Sequence, residues 1–174
     1  MGPDLTPPFP QTRDNKMSEL ETIGIGFPWE DLPVGRTFKT LGRTVTEADI
    51  VNFISATGML EVLFTNVEFL KEAGFNGRLV PGGQVFCFAE GLLFQTALQG
   101  VGVAFLHTEL DIKGPTFAGD TLHVEVEVIE SRASKGKPGM GLVRTRNQVV
   151  KQDGTVVMVY TPLRLVKGRA NLAG

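Results

Sequence analysis

Pro81-Gly82-Gly83-Gln84-Val85-Phe86-Cys87-Phe88-Ala89-Glu90-Gly91-Leu92-Leu93-Phe94-Gln95-Thr96-Ala97-Leu98-Gln99 is the stretch that decides the fold. From about Gly83 to Gln99 apolar side chains occupy nearly every angle of a helical wheel, the pattern of a helix enclosed by protein on most sides. Its apolar run, Val85 to Leu98, is broken by Glu90 and Gln95 and is too short to span a bilayer. Downstream the helical period gives way to strict alternation, which persists to the end of the chain. Ala104, Leu106, Leu110 and Ile112 alternate with His107, Glu109, Asp111 and Lys113. After a turn at Gly119-Asp120, Leu122, Val124, Val126 and Val128 alternate with His123, Glu125 and Glu127. Val143, Thr145, Asn147 and Val149 alternate with Arg144, Arg146 and Gln148. Asp153-Gly154 reads as a two-residue hairpin turn into a last strand from Thr155 to about Val166. One polar and one apolar face per strand predict an α+β domain, an antiparallel sheet solvated on one side and wrapped round a single long helix.

Two shorter helices are expected upstream. Thr46 can cap a helix whose first turn holds Glu47 and Asp49 and whose inner face holds Ile50, Phe53 and Ile54, with Gly58 as its stop. A second begins at Asn66, turns Phe69 and Leu70 inward, and ends at Gly74. Between them, Gly58 to Phe64 is apolar for a connecting segment. Residues 1–16 contain Pro3, Pro7, Pro8 and Pro10 without apolar periodicity and read as a disordered tail. Residues 17–168 form one domain, and 169–174 a short C-terminal tail.

Composition narrows the function. The 174 residues carry 17 Lys+Arg against 19 Asp+Glu, a formal net charge of -2, which gives no global positive field for nucleic acid or anionic membrane. A single cysteine, Cys87, and two distant histidines, His107 and His123, leave neither a disulfide framework nor a metal-ligand set. No basic start followed by an apolar core marks a secretory signal, so the expected setting is the cytoplasm. One helix inside one sheet leaves strand edges unpaired, and edge-to-edge pairing into a homodimer or higher oligomer would remove them.

The order of elements resembles the hotdog fold, with an overhanging helical segment before the central helix. More narrowly the chain resembles the MaoC-like acyl-CoA hydratases and dehydratases. Five stretches carry that likeness: Val34-Gly35-Arg36-Thr37-Phe38, Thr46 to Phe53, Pro81-Gly82-Gly83, Phe117-Ala118-Gly119-Asp120-Thr121-Leu122, and Asn147-Gln148. The resemblance implies an acyl- or enoyl-CoA thioester as substrate, hydro-lyase chemistry, and no cofactor or metal. It also implies an oxyanion hole at the start of the central helix, from the N–H groups of Gly82 and Gly83. Family hydratases carry Gly-Asp-x-Asn-Pro-x-His, whose Asp and His activate water. Aligned from Gly58, this chain has Met59 for the Asp, Glu61 for the Asn, Val62 for the Pro and Phe64 for the His. Neither Met nor Phe transfers a proton near neutral pH, so that pair is lost.

Two carboxylates are the remaining acid/base candidates. Glu61 is the only one between Gly58 and Phe64, and desolvation there would raise its pKa, with Asn66 to orient it. Otherwise it is a solvent-facing glutamate or one held by Arg78. Glu90 lies nine residues after Pro81 in the central helix, at an offset similar to the catalytic acid of hotdog acyl-CoA thioesterases. A carboxylate in an apolar helix must be paired, protonated or used, so a structural pairing is the competing reading. Met59, Phe64, Asn66 and Pro81 are the expected substrate-binding residues, with Leu60, Val62 and Leu63 adding to an acyl tunnel. Cys87 reads as a core residue, and Arg132, Lys135 and Lys137 as a solvated hairpin loop or a contact for CoA phosphates. Three functions follow: an atypical hydro-lyase, a thioesterase using Glu90, or a non-catalytic acyl-binding subunit of a hotdog hetero-oligomer.

Overall fold

A computed structural model describes residues 22–172. The tail read at residues 1–16 lies outside them. Eight strand segments make one antiparallel sheet: β1 (Thr37–Lys39), β2 (Arg43–Thr44), β3 (Gly102–His107), β4 (Leu110–Ile112), β5 (Thr121–Ala133), β6 (Met140–Lys151), β7 (Val156–Tyr160) and β8 (Leu163–Lys167). Both β1 and β2 pair with β5, β5 pairs with β6, β6 pairs with both β7 and β8, β7 with β4, and β8 with β3.

Four helices precede or interrupt the strands. They are α1 (Glu47–Thr57), α2 (Val62–Thr65), α3 (Val67–Glu72) and α4 (Gly82–Phe94). The capping box foreseen at Thr46 is present, with the Asp49 amide donating to Thr46 Oγ1 and the Thr46 amide donating to Asp49 Oδ2 at 2.9 Å. Those Thr46 bonds, aided by Arg43, hold the Asp49 carboxyl below its ordinary pKa. Gly58 ends α1 at φ 72°, a left-handed conformation that glycine adopts without a Cβ clash.

The core forms where α4 and α1 press on the inner sheet face. Val85, Ala89, Leu92 and Leu93 of α4 meet Ile50 and Ile54 of α1 and a row of strand residues from Leu122 to Tyr160. Each fully buried aliphatic side chain there contributes roughly 1.5–3 kcal/mol of transfer free energy, which drives the wrapping. A second cluster of Leu32, Val101, Val128, Val143 and Val166 lies at the other end, closed by Trp29 and Leu172. Trp29 sits so close to Gly141 that an added Cβ would lie 2.2 Å from its ring.

Several expectations need correction. The strand expected across residues 104–112 is two segments, and so is the one from Thr155 to Val166. The breaks at Thr108–Glu109 and Thr161–Pro162 face each other, and the register runs on unchanged across them. Pro162 has no N–H to give a ladder, so its carbonyl accepts from Thr145 while the Thr161 amide reaches Glu109. The hairpin loop holds three residues, Gln152 to Gly154, because Lys151 N bonds Thr155 O and Gly154 takes φ 85°. Helix α4 stops at Phe94, five residues before Gln99, and irregular turns follow whose Ala97 and Gln99 carbonyls accept from Phe27 and Gly26. One side of α4 is open, since Gly83, Cys87 and Phe94 are exposed. Of the pair expected to turn inward on α3, Leu70 is buried and Phe69 exposed. Residues 169–172, read as the start of a tail, are docked: Arg169 pairs with Asp31, and Asn171 Nδ2 donates to the Gly139 carbonyl at 3.0 Å.

Candidate functional site

The chain reaches α4 through a short bridge that fixes its first residue. The Val80 and Ala118 amides donate to the Thr116 and Arg78 carbonyls, tying the segment before Pro81 to the loop before β5. Asp120 stiffens that loop. Its Oδ2 accepts from the Phe117 amide at 2.8 Å and meets Lys151 Nζ at 2.9 Å, and its Oδ1 accepts from Gln152 Nε2. Burial works against the charge of Asp120, yet the Phe117, Lys151 and Gln152 bonds together outweigh it and hold the carboxyl below its ordinary value.

Pro81 is buried and caps α4, its carbonyl accepting from Gln84 and Val85. Among the described residues the Gly82 and Gly83 amides have no hydrogen-bond acceptor, as expected of the first turn of a helix. Gly82 opens on an apolar cavity of about 280 Å³. Phe64 of α2, Val85 of α4, Ile112 of β4, Met158 of β7 and Thr116 also line it. A Cβ on Gly82 would meet Ile112 Cδ1 at 2.5 Å, so glycine keeps the helix terminus open toward the cavity. Gly83 turns the other way, where a Cβ would rest at an ordinary 3.8 Å from the Phe53 ring. The cavity's lining includes no titratable side chain among the described residues.

The two expected acids are elsewhere. Glu61 is exposed rather than desolvated, because its Oε2 accepts from the Leu63 amide at 2.7 Å and so caps α2. Asn66 does not orient it. Asn66 Oδ1 accepts from the Glu68 and Phe69 amides as the cap of α3. Arg78 pairs with Glu47 at 3.4 Å, not with Glu61. Met59, Leu60 and Val62 are exposed, so of the apolar run only Phe64 lines the cavity.

Glu90 is buried and fully engaged. Arg164 Nη2 donates to both of its oxygens at 2.5 and 2.6 Å, and Tyr160 Oη donates to Oε1 at 2.8 Å. Burial first, then the neighbouring Glu90 charge, push the Tyr160 phenol far above its usual pKa, so it remains a donor. Glu90 and Glu61 therefore share no pocket beside Gly82. The histidines stand apart too: exposed His107 lies 3.4 Å from Arg144, and His123 lies 3.3 Å from Glu125.

Sequence reasoning missed Arg164 and the strand-borne half of the cavity. Arg164 was discoverable, since alternation puts it on the face of Tyr160 and Val166, an inward charge that needs a partner. Thr116 and Met158 carried no such signal, because Thr116 reaches α4 through the bridge at Leu79 and Phe117, and Met158 through the pairing of β7 with β6 and β4.

Among the described residues no helix is long and apolar enough to cross a membrane, and no group of three His, Cys, Asp or Glu side chains could hold a metal ion. Residues 33–160 match the family described as FAS1-like, dehydratase domain region. The chain is 30% identical over 133 residues to the 3-hydroxybutyryl-CoA dehydratase of Methylorubrum extorquens, covering 75% of this chain and 82% of that one. It is 26% identical over 149 residues to the β-methylmalyl-CoA dehydratase of Chloroflexus aurantiacus, covering 85% of this chain but only 42% of the relative's length. The crystal structure of the MaoC-like dehydratase from Rhodospirillum rubrum superposes with a TM-score of 0.73 at 29% identity, over 83% of this chain and 99% of that one. With fold, element order and family match in agreement, the chain belongs to the MaoC-like dehydratases of the hotdog fold, in the FAS1-like dehydratase-region family.

Proposed function

We propose that this protein binds the acyl part of a 2,3-unsaturated or 3-hydroxyacyl-CoA thioester within a hydro-lyase assembly whose proton-transferring pair comes from a partner hotdog chain. The observation that carries this reading is the cavity beside Gly82: apolar, open at a helix N-terminus, with Phe64 at the place of the family histidine and no acid or base on its walls. The free Gly82 amide is suited to the thioester carbonyl oxygen, where charge accumulates as an enolate forms. A volume of about 280 Å³ is nearly twice the ~150 Å³ void that takes up benzene, room for an acyl chain on the order of ten carbons.

Assembly would use the β3–β4 edge. Val103, Phe105, Leu106, Leu110 and Ile112 are exposed along it, with Phe94 of α4 beside them. Neither β3 nor β4 has a second neighbour among the described strands. Pairing this edge with a second copy, or with a MaoC-like chain that carries the Asp and His, would cover both the ladder and the apolar row.

The test uses the purified protein, a panel of saturated and unsaturated CoA esters, binding calorimetry, and the mass of the products. Alone, the protein is expected to bind the esters and return them unchanged. Mixed with a MaoC-like chain bearing an intact Asp/His pair, it is expected to add water to the enoyl ester. Hydration by the isolated protein would overturn the divided roles, and release of free CoA would favour the thioesterase.

A further inference from the structure

Four polar side chains cross the core as a layer. On the inward face of β6, Thr145 and Asn147 stand between Val143 of one apolar cluster and Val149 of the other. On the adjoining strands, Arg164 lies between Val166 and Tyr160, and Glu90 reaches down from α4 to Arg164. A void of about 20 Å³ lies in this layer, against Thr145, Asn147 and Arg164 and the apolar side chains of Phe38, Leu93 and Val126. Thr145 Oγ1 and Arg164 Nε have no hydrogen-bonding partner among the described residues, and the Asn147 amide has none beyond the Tyr160 hydroxyl beside it. Their residues are 8%, 0% and 5% exposed, so bulk solvent does not serve them.

We infer that this void is a binding site for one internal water molecule, held by Arg164 Nε, Thr145 Oγ1 and the Asn147 amide. Three arguments converge on water as the occupant. The first is size, because a void needs roughly 10–15 Å³ to admit one water and little more is present. The second is polarity. Arg164 Nε can only donate, the Asn147 carbonyl oxygen can only accept, and one ligand that does both satisfies them together, which no simple ion can. The third is charge. Glu90 already neutralises the guanidinium through both oxygens, so the layer does not attract an anion. Buried polar groups left unpaired are costly and rare, and here Thr145, Asn147 and Arg164, which line one void, each carry such a group.

The bound water gives the layer a mechanical role. Arg164 links Glu90 on α4 to Phe105 on β3, whose ring lies 5.2 Å from the guanidinium carbon. Fixing Nε sets the plane of that guanidinium, and with it the placement of the central helix over the exposed edge strand.

Crystals of the full chain at a resolution that shows ordered solvent are expected to reveal one peak about 3 Å from Arg164 Nε and from the Asn147 amide. A closed void, with Nε bonded directly to Asn147 and no peak, would overturn the inference. In solution, oxygen-17 magnetic relaxation dispersion counts long-lived internal waters. Asn147→Leu, which fills the void with methyl groups, is expected to lose one of them. Thr145→Val is nearly isosteric and serves should the first variant not fold. It removes one hydrogen bond and is expected to shorten the water's residence roughly fivefold. A folded variant of either kind with unchanged amplitude and residence time would refute the site.

Discussion

Replacing Glu90 by leucine separates a structural carboxylate from a catalytic one. The side chains of Arg164 and Glu90 are 6% and 12% exposed, and the guanidinium is held by both carboxylate oxygens. Removing Glu90 strands a buried positive charge and also costs Tyr160 Oη its acceptor. Losing one member of such a pair costs about 3–5 kcal/mol, set against a net stability of about 5–15 kcal/mol for a domain of this kind. At roughly 2–4 °C per kcal/mol for a chain of this length, the melting temperature should fall by about 6–20 °C. Glu90→Leu combined with Arg164→Met removes both charges and should recover most of the loss, because apolar replacement of a whole buried pair is often neutral or better.

Scanning calorimetry and urea unfolding on the wild type, both single variants and the double variant close the thermodynamic cycle. A Glu90→Leu protein melting within about 2 °C of the wild type, or a double variant no better than the single, would refute the pairing. If Glu90 were instead the nucleophile or base of a thioesterase, the wild type would cleave acyl-CoA thioesters and Glu90→Gln would abolish that cleavage. Arg164 and Tyr160 already engage the Glu90 carboxylate, which lies off the cavity beside Gly82, and no thioesterase activity is expected in the wild type.

Further outcomes follow from the site and the surface. Glu61→Ala removes the α2 cap and should cost about 1 kcal/mol in urea unfolding with acyl-CoA affinity unchanged; a tenfold loss of affinity would return Glu61 to the site. Gly82→Ala, whose new methyl meets Ile112 at the cavity mouth, should weaken acyl-CoA binding measured by calorimetry, whereas Gly83→Ala, with ordinary contact to Phe53, should not. Phe105→Lys places a charge on the exposed edge and should prevent the proposed edge pairing, yielding a monomer by light scattering. Folding holds the Asp120 carboxyl below its ordinary pKa. Its contribution to stability is therefore complete above the unfolded value and lost as pH falls through the folded one, so Asp120→Asn should lower the neutral-to-basic plateau of a stability–pH curve and flatten its acid limb, the two proteins converging in acid.

The fold was legible because its determinants are local or periodic. The apolar wheel of α4, the capping residues Thr46 and Asn66, and the alternation in β5 and β6 each announce themselves within a dozen residues. The errors fall where a backbone detail decides. Pro162 splits a strand whose side chains alternate across the break, and the opposing strand splits with it at Thr108–Glu109, a consequence visible only after the two are paired. The extra loop residue at Gly154 belongs to the same class, since a turn of two or three residues leaves the flanking alternation readable either way.

The candidate site was half legible, and the dividing line is physical. What a motif lacks can be read from one chain: Met59 and Phe64 cannot move protons, and the structure sets the Phe64 ring on the wall of the cavity. What a carboxylate does cannot be read that way, because its role depends on partners far away in sequence. Glu61 looked desolvated among apolar neighbours, yet those neighbours are themselves exposed, and its charge is used on the amide of Leu63. Glu90 looked available, yet Arg164, 74 residues later, had already claimed it. Both acids are satisfied by structure, and both lie off the cavity that a thioester would enter. The glycine amide at the start of α4 and the unpaired Thr116 hydroxyl are left as the polar features of that cavity able to act on a carbonyl, and such donors stabilise an oxyanion without supplying a proton to carbon. On the proposed reading, a chain so built holds and polarises a thioester, takes the acid and base of hydration from outside itself, and receives them across the unpaired, apolar β3–β4 edge.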